Sequence, residues 1–532
     1  MRENHVTVNQ FKGVNMTDAD HTIDDREFAQ VQNLMISDTG DLTRRKPLQW
    51  FYDHFPAGEG SADQTYMLGT YYNRLFWYNL NSHVASLTRL DTQVGGPVTQ
   101  TAALTNNPVE AVLFNNTLYL FMGNAVNPTQ IMITPSDWTA DNPTFTITPN
   151  NQALCNYVSR AVVFKDRIFG IQTWSQKSSR VTFSESATSG GVNTWTPGNY
   201  FDVNPGDGDY VVDIIPFQER LFIFKRNSTW VLIGSGPPST WQGIKLFDNS
   251  IGACHRHCVL EFGGLLYVLS PRGLHRTDGV VYDFVGYPLQ TQFLDHLVGP
   301  PNAAVTPAFT DGSVFIVRVD DQIFVCSGNA TTGWWFYNPS QNAWTQAVFG
   351  GGFSNPNNFQ LLYGVNTRLA DGTRKTFFGT SGAAGYNGSR ILWFDTRNPN
   401  NLTGYSYSDC LGPYYTPTLI PTSFKTKKWD AGAWYKEKRH LGSELEINVP
   451  PQPSQARFDF RINWNYNSDG VTGNKWYRSS NFYRGVLAHR VQGMGYVRRV
   501  QMQFYSNADV NFEISALDQV YLQKRDMAEV RQ

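Results

Sequence analysis

The chain has 532 residues, of which 14% are aromatic and only 16% charged, with 45 glycines, 27 prolines and a formal net charge of −1. That length exceeds the roughly 100–200 residues of one compact core, so the chain is multidomain or built from units that each bring a small core. No run approaches the roughly 18 apolar residues of a membrane-spanning helix, and the balance of charge is not basic enough for a sequence-specific DNA reader.

Residues 1–50 read as an N-terminal strand-and-loop module. A weakly alternating Val6–Phe11 leads to Gly13-Val-Asn15 and the acidic Asp18-Ala-Asp20 and Asp24-Asp-Arg-Glu27. Ala29 to Ile36, the turn Ser37-Asp-Thr-Gly40 and the basic Arg44-Arg-Lys46 follow. The first ten residues lack the apolar centre of a secretory signal.

Residues 51–412 carry a repeated phrase: an aromatic, two or three residues that can turn, then an apolar and aromatic run. Tyr71-Tyr-Asn-Arg-Leu-Phe-Trp-Tyr78, Phe114-Asn-Asn-Thr-Leu-Tyr-Leu-Phe121 and Phe164-Lys-Asp-Arg-Ile-Phe169 are the first copies. Phe217-Gln-Glu-Arg-Leu-Phe-Ile-Phe224 and Phe262-Gly-Gly-Leu-Leu-Tyr-Val-Leu269 continue the series, at steps of 43, 50, 53 and 45 residues. Two fainter copies are read at Phe309-Thr-Asp-Gly-Ser-Val-Phe-Ile-Val317 and near Leu361-Leu-Tyr-Gly364. Each copy predicts a strand, a tight turn and a second strand. A period of roughly 40–50 residues of short strands is that of β-propeller blades. The expected fold is therefore all-β, a propeller of six or seven blades depending on whether the faint copy near 361 is a blade of its own.

The Pro- and Tyr-rich stretch Gly412-Pro-Tyr-Tyr-Thr-Pro417 breaks the pattern. Beyond it, Glu444–Val449, Ala456–Trp464, Arg498–Tyr505 and Val510–Ser515 alternate apolar and polar residues, which predicts strands with one face buried. Residues 413–532 are read as an additional antiparallel β-sandwich, and the two chain ends are candidates to pair or to close the ring, since an open ring leaves edges exposed. From residue 421 onward there are 17 Lys+Arg against 11 Asp+Glu, a surplus of +6, leaving 26 against 33, or −7, for the first 420 residues. This asymmetry suits an acidic body with a basic end that meets a partner, or two ordinary solvated surfaces.

Several constellations invite a chemical reading. Cys254-His-Arg-His-Cys258 has metal-binding residue types, but on a strand its cysteines and histidines would face opposite ways, two donors per face. The five cysteines (Cys155, Cys254, Cys258, Cys326 and Cys410) are scattered and odd in number, as for reduced thiols made in a cytoplasm. Asp207-Gly-Asp209 offers oxygen ligands but lacks the further carboxylates of a calcium loop, and reads as a tight turn. Ser189-Gly-Gly-Val-Asn-Thr-Trp195 echoes the end of a sialidase repeat without its aspartate. Trp334-Trp-Phe-Tyr337 suits blade core better than a sugar-stacking surface. No nucleophile elbow, phosphate loop or zinc helix motif occurs. No catalytic, cofactor-binding or metal residue is therefore assigned, and no enzymatic activity is expected.

Three groups of residues carry a family resemblance. The first is Phe11, Gly13-Val-Asn15, Ile23-Asp-Asp25, Glu27, Asn33-Leu34, Gly40, Leu42 and Arg44-Arg45. The second is Phe183-Ser-Glu-Ser-Ala187, Trp195, Asp202-Val203, Gly206-Asp-Gly-Asp209, Phe224-Lys225 and Ser228-Thr-Trp230. The third is Gly263-Gly264, Leu269-Ser270 and Gly273-Leu-His-Arg-Thr-Asp-Gly279, with Phe424-Lys-Thr-Lys-Lys-Trp429 and Lys438-Arg439 beyond it. In this order they resemble the tail nozzle, or packaged-DNA stabilisation, proteins of short-tailed bacteriophages. Each motif is short, the Cys254–Cys258 cluster departs from the pattern, and the last domain does not match strand by strand.

The resemblance implies a structural virion protein in the tail, made in the bacterial host cytoplasm. It implies a hexameric ring below portal and adaptor that extends and closes the DNA-ejection channel. Its partners would be the adaptor or head–tail connector and tail fibre or needle proteins, with genomic DNA passing transiently and without sequence specificity. No cofactor and no membrane span are implied. An acidic body lining the lumen would let DNA slide, since tight DNA binding needs clustered Lys and Arg. The rival expectation is a glycan-binding or glycan-cleaving tail-associated propeller, which would need an open pocket with convergent carboxylates.

Overall fold

The computed structural model describes residues 3–19, 22–53, 65–71, 74–79, 84–89, 99–103, 108–123, 128–135, 145–172, 178–187, 191–234, 237–297, 314–327, 333–349, 359–368, 374–382, 390–395, 397–398, 401–405, 408–409, 418–429, 438–449, 459–466, 471–478, 485–497, 499–506 and 512–523. The chain is all-β; the one α-helix among the described residues is Gln290–Leu297.

Seven antiparallel four-stranded sheets follow one another. The first six lie at residues 65–103, 110–150, 158–202, 211–248, 259–284 and 314–346, each with its strands in sequence order. The seventh takes three strands from 359–394, and its fourth is Leu48–Asp53, from ahead of the first sheet. The opening strands of the seven sheets touch in chain order, and that of the seventh, Phe359–Arg368, returns to that of the first, Thr65–Tyr71. The contacts therefore run in a closed cycle.

The repeated phrase is the hairpin that opens each of the first five sheets. In three copies both turn residues adopt positive φ: Asn115 and Asn116 at 48° and 63°, Gln218 and Glu219 at 47° and 63°, Gly263 and Gly264 at 61° and 77°; in the third copy Lys165 alone does, at 57°. Two consecutive residues of this kind make the turn whose twist matches the flanking strands, and Asn or Gly meets it at least strain. The Gln218-Glu219 turn is held from outside, by Gln218 Nε2 donating to Asp278 O at 2.7 Å and by an ion pair from Glu219 to Lys165. The second strand of each hairpin is sandwiched between neighbouring sheets, so both its faces are buried. Leu221, Phe222, Ile223 and Phe224 are all fully buried, which is why the sequence runs continuously apolar there instead of alternating.

The two faint copies of the phrase do not coincide with hairpins of the structure. Val314–Val319 is the opening strand of the sixth sheet, not its second, and Phe309–Ser313 lies outside the described residues. The hairpin turns at Asp320-Asp321 into Gln322–Ser327, so the sixth copy is Val319-Asp-Asp-Gln-Ile-Phe-Val-Cys326. Its leading residue is β-branched where the others are aromatic, since either packs on a pleated surface. Leu361–Gly364 falls within a single strand, Phe359–Arg368, at a bulge opposite Thr380 and Phe378.

Strands from the two chain ends form the rest. One six-stranded sheet joins Glu3–Val8, Leu34–Ile36 and Leu42–Arg44 to Glu513–Gln523, Lys438–Val449 and Gly485–Val497. The outer strand of the sixth sheet, Ala343–Gln346, continues through Gly13–Val14, Glu27–Gln32, Thr422–Thr426, Arg499–Ser506, Asp459–Tyr466 and Val471–Arg478 into a ten-stranded sheet. The segments read as 1–50 and 413–532 thus share sheets, and Leu48–Asp53 spans the boundary drawn at residue 50. An aromatic file crosses their common core: Phe11 to Phe28, Phe424, Phe504 and Phe512, at successive centroid distances of 5.3, 5.1, 5.3 and 5.6 Å. The predicted alternation holds where it is clearest: Leu445, Ile447 and Val449 are buried while Glu446 and Asn448 are exposed.

Candidate functional site

The opening strands of the second, third and fourth sheets each bring one charged side chain to the centre of the cycle. Arg160 lies between two carboxylates: its Nη1 meets Glu110 Oε2 at 3.0 Å and its Nε meets Asp213 Oδ1 at 2.8 Å. Arg160 and Asp213 both follow a β-bulge, after Val158 and Val211; a bulge re-aims the next side chain. Glu110 also accepts the Ala111 N–H at 3.1 Å and Asp213 the Ile214 N–H at 2.9 Å.

The Cys254–Cys258 segment completes this cluster. It is a turn, so the alternation a strand would impose does not apply, and His257 sits in it at φ 63°. Leu269 fastens both ends, accepting the Cys254 N–H at 2.9 Å and donating to Cys258 O at 2.8 Å. Arg256 Nη1 donates to Val109 O at 3.1 Å and Ser159 O at 3.3 Å, bridging the second and third sheets. The His257 ring stacks on Tyr363 of the seventh sheet at 3.6 Å and 15°, and its carbonyl accepts the Ile316 N–H of the sixth. One cluster, buried except for a partly exposed Arg160, therefore ties six of the seven sheets with two carboxylates, two guanidiniums and one imidazole.

Burial in so dry a site disfavours charge. It pushes the Glu110 and Asp213 carboxyls up, against the pull of Arg160. Burial alone would lower Arg160, but Asp213 and Glu110 outweigh it and hold the guanidinium above its ordinary value. Burial, then Arg160 and Arg256, hold His257 well below 6.5.

The cluster is not arranged for glycoside hydrolysis. Glu110 is 4% exposed and Asp213 fully buried, and Arg160 bonds both, so neither carboxyl faces a space where a sugar could sit. Nor do the cysteines and histidines converge on a metal: Cys254 and Cys258 are packed in apolar core, and burial pushes the Cys254 thiol up to about 12. Among the described residues no three His, Cys, Asp or Glu side chains group as metal ligands. Cys155, Cys254, Cys258 and Cys326 are reduced and buried; Cys410 lies outside the described residues.

Asp207-Gly-Asp209 is a turn whose oxygens are all engaged. Both Asp207 oxygens accept from the fully buried Lys225 ammonium at 2.8 and 2.7 Å. Asp209 accepts backbone N–H groups from Tyr210, Arg226 and Asn227. A lysine thus occupies the place a calcium ion would need. Trp334, Trp335, Phe336 and Tyr337 are all buried strand core, and Trp195 is buried against Phe121 at 5.9 Å.

Gly13, Asn15, Asn33 and Arg45 hold the N-terminal strands to their neighbours. Arg45, fully buried, donates to Asn33 Oδ1 at 2.7 Å and to Val348 O at 3.0 Å. Asn33 Nδ2 donates to Pro421 O at 2.7 Å. Asn15 Nδ2 donates to Glu27 Oε2 and Asp18 Oδ2, and Gly13 lies so close to Trp344 that a Cβ would come within 2.2 Å of its carbonyl oxygen.

No single motif announces the axial cluster, yet the repeat carries a trace of it. Counting back four residues from the leading Phe114, Phe164, Phe217 and Phe262 gives Glu110, Arg160, Asp213 and Cys258. Charge recurs at one repeat position in three successive copies, inside strands that are otherwise apolar.

The sequence matches no protein-family model and no curated protein. Solved structures resemble it only distantly. The AfRom2 CNH domain aligns with 66% of this chain and 100% of its own, at 8% identity and a TM-score of 0.38. AztD from Citrobacter koseri, in its apo form, aligns with 58% of this chain and 94% of its own, at 8% identity and a TM-score of 0.30. An exo-beta-1,3-galactanase from Phanerochaete chrysosporium aligns with 90% of this chain and 100% of its own, at 10% identity and a TM-score of 0.26. Similarity at this level carries no functional argument.

Proposed function

We propose that this chain is a structural virion protein, the tail nozzle or hub of a short-tailed bacteriophage, and that it works as a ring of copies. In this reading the seven four-stranded sheets are blades of a β-propeller. The closed cycle of contacts between opening strands supports that, as does the closing strand Leu48–Asp53 lent by the N-terminal side. The strands from both chain ends form a sandwich on the outer edge of the sixth blade. In this reading the centre of the propeller is packed with ion-paired side chains, so any DNA path runs between copies and not through one.

The observation that carries the reading is the joint at Asn33 and Arg45. Gly13, Asn15, Glu27, Asn33 and Arg45, spread over 33 residues, all bear on the union of the sixth sheet with the strands from the chain ends. Five of the residues quoted for the resemblance thus lie at this union, which supports the reading. The proposed partners are further copies of the chain, the adaptor and the fibre or needle proteins.

The test is immunogold electron microscopy of parent particles with antibody raised against the purified chain. Gold at the distal tail supports the reading. Its absence, with an antibody that binds native protein, rejects a virion role and directs attention to glycan arrays.

A further inference from the structure

At the centre of the cycle two carboxylates, Glu110 and Asp213, share the Arg160 guanidinium, the Arg256 guanidinium is held by two backbone carbonyls, and one buried ring can still gain a charge. His257 is 8% exposed, and its Nδ1 has no hydrogen-bond partner among the described residues. We propose that the Cys254–Cys258 turn is an acid-released latch, seated on the axis while His257 is neutral and leaving it when His257 takes a proton.

The groups facing His257 make the case. From the third sheet comes Arg160, from its own turn Arg256, from the seventh sheet the uncharged ring of Tyr363. From the fourth sheet comes Asp213, toward which the His257 backbone N–H is directed. With neutral His257, two carboxylates balance two guanidiniums. An imidazolium would be a third cation, near both arginines, and of the two carboxylates bonded to Arg160 only Asp213 keeps an oxygen, Oδ2, without a hydrogen-bond partner among the described residues. Charge without a partner in such a site is costly. Relief comes by moving the turn off its ties, which are the two Leu269 bonds at its ends and, at its tip, the Ile316 N–H, the His257 N–H to Asp213 and the Arg256 bonds to Val109 and Ser159.

The sign follows from the geometry. A histidine held below its unfolded value near 6.5 contributes full stability above that value and loses it as pH falls, by about tenfold in the equilibrium per pH unit for one proton. Glu110 and Asp213 are shifted upward and act in the opposite direction, so the effect of His257 must be isolated by substitution. His275, also lowered by burial, sits in the Ser270–Gly273 hairpin and serves as the control. The latch does not depend on the tail reading.

The cysteines supply the probe. Cys254 and Cys258 bracket the turn and are fully buried, while Cys155 (0%) and Cys326 (2%) are buried elsewhere. The purified full chain is treated with 4,4′-dithiodipyridine between about pH 7.5 and 5, with rates at each site normalised to the urea-unfolded chain and modified thiols mapped by mass spectrometry. Below about pH 6.5 the normalised rates at Cys254 and Cys258 should rise by about tenfold per pH unit, while Cys155 and Cys326 stay protected. The His257→Asn variant should flatten the rise and His275→Asn should not. Labelling of all four cysteines together, no gain with acid, or an unchanged gain in His257→Asn overturns the latch. If His257→Asn does not fold, the site-resolved profile of the unsubstituted chain decides alone: equal gains at Cys155 and Cys254 refute it.

Discussion

Asn33 Oδ1 accepts two hydrogen bonds of 2.7 Å, from Arg45 Nε and from the Val348 N–H, and so joins the sixth sheet to the strands of both chain ends. Asn33 also has φ 58°, a conformation that asparagine tolerates better than other side-chain-bearing residues. Replacing it with glycine keeps the backbone and removes the side-chain bonds. The expected loss is about 3 kcal/mol, since Arg45 is left buried with an unmet donor. Alanine adds about 1 kcal/mol of backbone strain. Urea denaturation of the two variants separates the terms; equal losses would show that the backbone conformation contributes nothing.

Gly13 has φ 81° and no space for a side chain beside Trp344. Gly13→Ala should cost more than about 3 kcal/mol, by strain and by displacing the Gly13–Val14 strand from Ala343–Gln346. Limited proteolysis should then cut within the first 50 residues well before the sheets are digested. Cleavage unchanged from the parent chain would mean that the strand shifts without detaching.

Lys225 is fully buried, and its ammonium is held by Asp207 and by Asn204 O at 3.1 Å. Asp207→Asn leaves that charge without its counterion and should cost about 3–5 kcal/mol, whereas the double change with Lys225→Met should recover most of the loss. Burial alone would raise the Asp207 carboxyl, but the Lys225 hydrogen bond and charge override it and hold it below the ordinary value. Its stabilisation is therefore present above the unfolded value near 3.9 and lost as pH falls through the lower folded one. Millimolar calcium should leave the melting temperature unchanged, because no carboxylate oxygen of Asp207-Gly-Asp209 is unclaimed; a calcium-dependent rise would overturn this assignment.

Arg160 is the cation on which two buried carboxylates depend. Arg160→Met alone should destabilise by about 3–5 kcal/mol, and adding Glu110→Gln and Asp213→Asn should return a large part of it. A triple variant no better than the single one would show that packing around Arg160, and not its charge, is what the axis requires.

What could be read along the chain was what neighbouring residues decide among themselves. The hairpins at 114–117, 217–220 and 262–265 are legible because two-residue turns demand Asn, Gly or other residues able to take positive φ between apolar strands. Leu445, Ile447 and Val449 announce their face by period two. The sixth hairpin was misplaced because its leading position is Val319, which packs as an aromatic would but is not one. The axial residues were missed for a different reason: Glu110, Arg160 and Asp213 are about 50 residues apart, and each alone is an isolated charge in an apolar strand.

The sequence by itself determined the all-β character, the short-strand repeat and most of its turns, since propensity, alternation and turn chemistry act over a few residues. Only the tertiary structure decided which strands from distant parts of the chain meet. Thr7 bonds Asp518 across 511 residues, Leu48–Asp53 completes a sheet begun at residue 359, and a turn that reads as a metal motif stacks its His257 on Tyr363 at the centre of the cycle. Such pairings follow from closing a cycle and burying its edges and charges together, and these requirements act on the whole chain and leave no mark on any single segment.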